Sequence, residues 1–138
     1  MAITQAMCTS FKSEILQEGH QLATDTIKIA LYTSSASLDA TTTAYSSSNE
    51  VSGTGYTATG VTLTSTTVST SGTTAFFDAD DPTWTSASFT ARGALIFNAS
   101  NSNKAIAVLN FGGDFTVAGG TFKITLPAAG TTAIIRIA

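Results

Sequence analysis

The strongest constraint on this chain is a series of short segments in which β-branched and aromatic residues alternate with polar ones, broken at close intervals by glycine, asparagine and serine. The clearest is TIKIALY at 26–32, where Ile27, Ile29 and Leu31 fall on one face at period two, the pattern of a half-buried strand. The same reading predicts strands at VTLTSTTVS (61–69), TAFFDA (74–79), PTWTSASFT (82–90), ALIFN (94–98), AIAVLNF (105–111), TFKITLP (121–127) and AIIRI (133–137). Turn residues separate them at Ser71-Gly72, Asn98 to Asn103, Gly112-Gly113, Gly119-Gly120 and Gly130. Trp84 and Phe89 lie an odd number of residues apart, as do Leu63 and Val68, so each strand is expected to carry a bulge or bend. With no alternating helices to build a parallel sheet, the expected fold is mainly β: an antiparallel β-sandwich or jelly-roll-like barrel with one short N-terminal helix, a single β-rich domain over 1–138. The final strand is expected to run to Ala138.

Composition supports this. Ser and Thr together supply roughly three residues in ten, while charged residues make up 11% against about 25% in an average soluble chain. Threonine fits a pleated sheet, and the Lys and Glu that usually cover helices are scarce. One helix is expected at 4–18, where Met7, Phe11 and Ile15 recur at i+4, Leu16 widens the stripe and Gly19 stands as a left-handed C-cap. Residues 33–60 are rich in Ser, Thr and Gly and form a long excursion whose anchors are Leu38, Tyr45, Val51 and Tyr56. A loop of that length within a small domain is uncommon and often functional.

Several function classes are excluded or made remote. The formal net charge is −3, and Lys12, Lys28, Arg92, Lys104, Lys123 and Arg136 are scattered, so no footprint for a phosphate backbone exists. No apolar run approaches the roughly 20 residues of a membrane span, and MAITQAMCTSFKSE lacks the basic-then-apolar order of a signal peptide. The chain is therefore expected to be a soluble cytosolic product. Cys8, the single cysteine, leaves no partner for an internal disulfide and no cysteine-based metal cage.

Catalytic equipment is thin. His20, the one histidine, follows the helix-ending glycine and is expected to sit partly exposed against helix carbonyls. No G-x-S-x-G elbow accompanies it. Asp78, Asp80 and Asp81 offer hard oxygen ligands for a calcium site, but without the glycine and distal glutamate of an EF-hand loop, and an Asx-Pro turn before Pro82 is the expected reading over the metal. Glu50 joins these aspartates as a candidate carboxylate for acid/base work on sugars, with nothing fixing their separation. Gly53, Gly55 and Gly60 precede no helix and no phosphate-binding lysine, so their expected role is a turn. Tyr45, Tyr56, Phe76, Phe77, Trp84, Phe89 and Phe97 are expected mostly in the core, as are Met7 and Cys8. No enzyme activity and no cofactor are expected.

With the segments placed, the order FKSEILQEGHQLATDTIKIALYTSSA, NEVSGTGYTATGVTL, DADDPTWTSASFTARGALIFN and VLNFGGDFTVAGGTFKITLPAAG resembles a family of small virion structural proteins of tailed bacteriophages, over nearly the whole chain. The most specific parts are FK-x-x-[IL]-L-x-x-x-H with DTIKIALY, the NEVSGTGY block, and W-x-x-x-x-x-TARGALIF. The resemblance implies a capsid decoration or cement protein, made in the host bacterial cytoplasm and placed on the capsid surface. Its implied partners are the major capsid protein and further copies of itself, as a dimer or trimer. It supplies no catalytic residues. Phe11, Leu38, Tyr45, Val51 and Tyr56, on the helix and the excursion, are the expected contact residues. The alternative is a tail- or fibre-associated module binding host glycans through exposed Tyr45 or Tyr56, although no fibre repeat or heptad is present.

Overall fold

The computed structural model describes residues 2–17 and 19–137. At its centre is the segment with the clearest alternation. Strand β2 (Ile27–Tyr32) is hydrogen-bonded between the long β6 (Thr83–Asn98) and the two-residue β3 (Val61–Thr62). Beyond β6 runs β7 (Lys104–Lys123), whose far edge takes β1 (Ala6–Met7) at Ala107 and Val108. This sheet has the order β1-β7-β6-β2-β3. A second sheet is built from β4 (Thr67–Ser71), β5 (Thr74–Asp78) and β8 (Ile135–Ile137), with β5 in the middle. All pairings between these strands are antiparallel, and neither sheet closes on itself, which leaves a sandwich-like layering without a barrel. One short helix, α1 (Thr9–Ile15), completes the fold.

The buried side chains form one cluster that draws on both sheets, from Ile29, Leu31 and Leu95 to Phe77 and Ile135. Removing each such side chain from water contributes roughly 1.5–3 kcal/mol. Strand β2 was expected to be half-buried, yet Ala30 and Tyr32 on its other face are as inaccessible as Ile29 and Leu31. The reason is the 33–60 excursion, which folds back over that face and accepts the Tyr32 hydroxyl at Ser46 O, 2.6 Å away.

The parity breaks correspond to real irregularities. In β6 the register with β7 shifts between Trp84 and Ala87, where Ser86 takes a left-handed φ of 48°, and this extra residue lets Trp84 and Phe89 share the buried face. Between Leu63 and Val68 the chain bends at Ser65 (φ 54°) and leaves the first sheet for the second.

Three expectations are corrected. The helix is confined to Thr9–Ile15, because Ala6 and Met7 add to the edge of β7 and the chain turns back after Gln17; Glu18, its expected last residue, lies outside the described residues, as does Ala138, to which the final strand was expected to run. Gly19 is not left-handed: a Cβ there would stand 2.8 Å from Glu14 Cβ, so it is the close return of the chain onto α1 that requires glycine. The segments at 82–90 and 94–98 form one strand, and that at 105–111 runs on into the first three residues of that at 121–127, where β7 ends at Lys123, because Gly112 (φ 81°) and Gly119 (φ 66°) make bulges within β7 where turns were expected.

Candidate interaction surfaces and the polar clusters behind them

The 33–60 excursion is tied down by all three tyrosines of the chain. Glu50 is the knot. Its Oε1 accepts the Tyr45 hydroxyl at 2.6 Å, and its Oε2 accepts the Tyr56 hydroxyl and the Thr59 N–H, the latter at 2.8 Å. The Tyr56 oxygen in turn accepts the Leu31 N–H of β2 at 3.0 Å. Thr59 is a β-branched residue at a left-handed φ of 78°, a costly conformation that Glu50 and the Lys28 ammonium, 2.7 Å from its hydroxyl, hold in place. Next to it Gly60 (φ 77°) presses on β2 so closely that a Cβ would come 1.8 Å from Ile29 O. Burial, then the hydrogen bond to Glu50, pushes the Tyr45 hydroxyl up to about 12, and the same causes raise Tyr56 further. Glu50 therefore acts as a structural acceptor whose oxygens are already engaged.

Within the single chain the expected contact residues are largely taken up by the fold. Phe11, Leu38 and Val51 are buried in the core of the single chain. Tyr45 and Tyr56 are half-buried, with Tyr45 stacked on Phe97 and Tyr56 on Trp84. Neither presents the free ring face and free hydroxyl that a glycan platform requires.

His20 was expected to sit partly exposed beside helix carbonyls, but its imidazole is fully buried, edge-on to Phe11. Its Nε2 lies 2.7 Å from Glu14 Oε1, and its Nδ1 lies 3.0 Å from Asn98 Nδ2. The orientation of Asn98 is set by its other bonds: its Oδ1 accepts the Ser100 N–H at 3.0 Å and its amide donates to Asp25 Oδ2 at 2.7 Å. The amide nitrogen therefore faces Nδ1 as a donor, and the neutral imidazole carries its proton on Nε2, directed at Glu14. The Asn98 bond, then the Gln21 N–H, holds the Asp25 carboxyl below its ordinary value. With both ring nitrogens engaged, this cluster fastens α1 and the 19–25 turn to the end of β6. Asn98 was read from sequence only as the start of a turn; the lone signal for its second role was an amide closing the apolar run ALIFN.

The aspartates at 78–81 do not converge. Asp80 accepts the Thr64 hydroxyl at 3.3 Å, while Asp81 accepts the Leu126 N–H at 2.8 Å and lies 3.6 Å from the Lys123 ammonium. Among the described residues no three His, Cys, Asp or Glu side chains come together as a metal-ligand group. Cys8 is fully buried at the start of α1, and burial, with the charges of Asp39 and Glu14, pushes its thiol up to about 11.

Among the described residues two open apolar clefts stand out. The first, of about 400 Å³, lies between the 11–24 segment and the second sheet, with Ile15, Leu22, Val68, Ala75 and Ile137 among its walls. The second, of about 430 Å³, is walled by Phe111, Phe115, Val117, Phe122 and Ile124 along β7. It ends a chain of ring contacts running from Trp84 and Phe89 through Phe122 and Phe111 to Phe115. Comparison with known protein families, with curated proteins and with solved structures found no match to this chain. No described helix is long and apolar enough to cross a membrane.

Proposed function

We propose that this chain is a structural protein of a bacteriophage virion, a decoration protein that binds and stabilises the head shell through contacts repeated over the lattice. The whole-chain resemblance motivates the setting. What carries the reading on the structural side is the placement of the exposed apolar groups. Val68 and Ile137 are each 53% exposed and line the first cleft, Leu16 directly follows a residue of its wall, and Phe115 lines the second. Large apolar side chains gathered at clefts, instead of scattered, mark contact surfaces. A subunit with more than one such surface is equipped to bridge neighbours, and weak contacts multiplied by symmetry add up to large stabilisation. The hydroxyl-rich remainder adds hydrogen-bonding capacity without the cost of desolvating charges.

Cryo-electron microscopy of the particle tests this. Density for the protein at local symmetry axes of the head shell is expected, and density confined to the tail would refute the proposal. Particles lacking the protein are expected to lose their heads at lower temperature while adsorbing to the host as before.

A further inference from the structure

The two strands of the long β6-β7 ribbon differ along their outer edges. Near its distal end β6 is covered: Thr54 bridges to Ser88, with the Ser88 N–H donating to Thr54 O at 2.9 Å, and Gly55 lies against Ala87. By contrast, β7 is covered only over its first part, by the bridge of Ala44 to Lys104, by β1 at Ala107 and Val108 and by Gln5 Oε1, which accepts the Asn110 N–H at 3.0 Å. Among the described residues no strand pairs with the outer edge of β7 from Phe111 to Lys123. Proteins usually guard such an edge with lysine, proline or inward charge. Between the bulges at Gly112 and Gly119 the run Asp114–Ala118 holds one charged residue, and its carboxylate is already paired with Arg92 at 2.8 Å. Within it Phe115, Thr116, Val117 and Ala118 stand in unbroken register opposite Ala91, Thr90, Phe89 and Ser88, and Asp114 lies at the register shift that follows Ala91.

We propose that Asp114–Ala118 pairs with the same run of a second copy of this chain, antiparallel about a two-fold axis at Thr116, joining two ribbons into one sheet. Thr116 is the centre of the run, so this axis alone pairs all of it with itself. Phe115 then stands opposite Val117 of the partner subunit, an aromatic to β-branched pair, and the two threonines meet at the axis, both favourable across antiparallel strands. Charge agrees with this register. The two Asp114 carboxylates are separated by four positions, about 14 Å at roughly 3.4 Å per residue, beyond the screening length of about 8 Å at physiological salt. Moving the axis to Phe115 halves that spacing, and moving it to Val117 sets Phe115 against the bulged Gly119. Phe115 and Val117 also wall the second cleft, so pairing brings the second clefts of the two copies together into one apolar face. Five paired residues bury less than the roughly 1,200 Å² of a standard stable interface, so the dimer is weak and concentration-dependent. The proposal stands apart from the virion reading, because the purified chain alone tests it.

Sedimentation equilibrium of the full chain from micromolar to millimolar concentration is expected to show a monomer–dimer equilibrium. Phe115→Lys is expected to weaken association at least tenfold, with an unchanged circular dichroism spectrum confirming that it is folded. Register is read by cysteine substitution, since the native Cys8 is buried. Thr116→Cys is expected to form a covalent dimer on mild oxidation, because residues directly opposite lie within the roughly 4.4–6.8 Å Cα separation that a disulfide spans; Asp114→Cys is expected not to. A chain that stays monomeric throughout, a dimer that Phe115→Lys leaves intact, or cross-linking by Asp114→Cys without Thr116→Cys would each overturn the proposal.

Discussion

The Tyr45 hydroxyl donates to Glu50 Oε1 at 2.6 Å, and this bond, with those of Tyr56 and Thr59 to the other oxygen, turns a hydroxyl-rich stretch of chain into a folded layer over β2. A carboxylate held by three donors is worth more than any surface ion pair, because hydrogen bonds to a charged group contribute about 1.5–3 kcal/mol each before non-additivity. Glu50→Ala is therefore expected to cost about 3 kcal/mol, read as a lower urea midpoint. Exchange of the Thr59 and Leu31 amides should accelerate beyond the global change if the knot is local.

The same tyrosines set the response to alkali. A folded-state value above the ordinary 10.0 means that the folded protein holds its phenolic protons where the unfolded chain releases them. The stability contributed is complete below pH 10 and is lost as pH rises through the folded value, about 12 for Tyr45. Phenolate absorbance is expected to lag at pH 11 in the native protein and to appear at once in denaturant. Normal titration of all three tyrosines in the native state would contradict the tie-down.

Asn98 joins His20 to Asp25 with no exposure of its own. Asn98→Ala leaves a buried ring nitrogen without its donor, and a loss of about 3 kcal/mol is expected on denaturation. The Asp25 carboxyl should also return toward its ordinary value of 3.8, since the Asn98 bond is the first cause of its lowering. The sign is that of a depressed acid: its contribution is present above that value and lost as pH falls through the folded one. Carbon NMR titration of Asp25 reads this directly, and long-range proton–nitrogen spectra should show the neutral His20 protonated at Nε2.

Two left-handed glycines separate backbone strain from steric overlap. Gly72 (φ 61°), in the β4-β5 turn, has nothing within 4 Å of a built Cβ, whereas at Gly60 that atom would overlap Ile29 O. Gly72→Ala is expected to cost about 1 kcal/mol, the left-handed penalty alone. Gly60→Ala is expected to exceed it by at least about 2 kcal/mol, because β2 and the 57–60 turn must move apart. Equal thermal shifts for the two variants would show the close approach to be unimportant.

Cys8 tests the integrity of the core. A fully buried thiol raised to about 11 is almost wholly protonated at pH 8 and out of reach of reagents. Labelling by a disulfide reagent is expected to be slow in the native state, to follow unfolding, and to finish at once in guanidinium chloride. Rapid native labelling would mean that the start of α1 opens locally.

Much of the fold was legible because alternation at period two is a local property. The segments around Ile29, Phe77, Leu95 and Val108 became strands, and the odd spacings at Trp84–Phe89 and Leu63–Val68 marked where Ser86 and Ser65 break the pleat. The glycines at 112 and 119 misled for a physical reason: a left-handed glycine serves equally as the corner of a hairpin or as a bulge within one strand, and the pairing partner decides which. The direction of the expected contact residues was illegible for a related reason. Leu38, Val51 and Tyr56 stand as isolated apolar residues in a polar stretch, and such residues point outward or inward according to where the stretch folds.

By itself, then, the sequence determined a β-rich chain of antiparallel strands, with a single cysteine and no charge cluster, because those properties are set by composition and by neighbours a few residues apart. Only the tertiary structure decided that Glu50 gathers Tyr45, Tyr56 and Thr59, that Asn98 meets His20 across the fold, and that no strand of the described residues pairs with the outer edge of β7 from Phe111 to Lys123. Each depends on segments distant in the chain being brought within hydrogen-bonding range, and no local pattern encodes that distance.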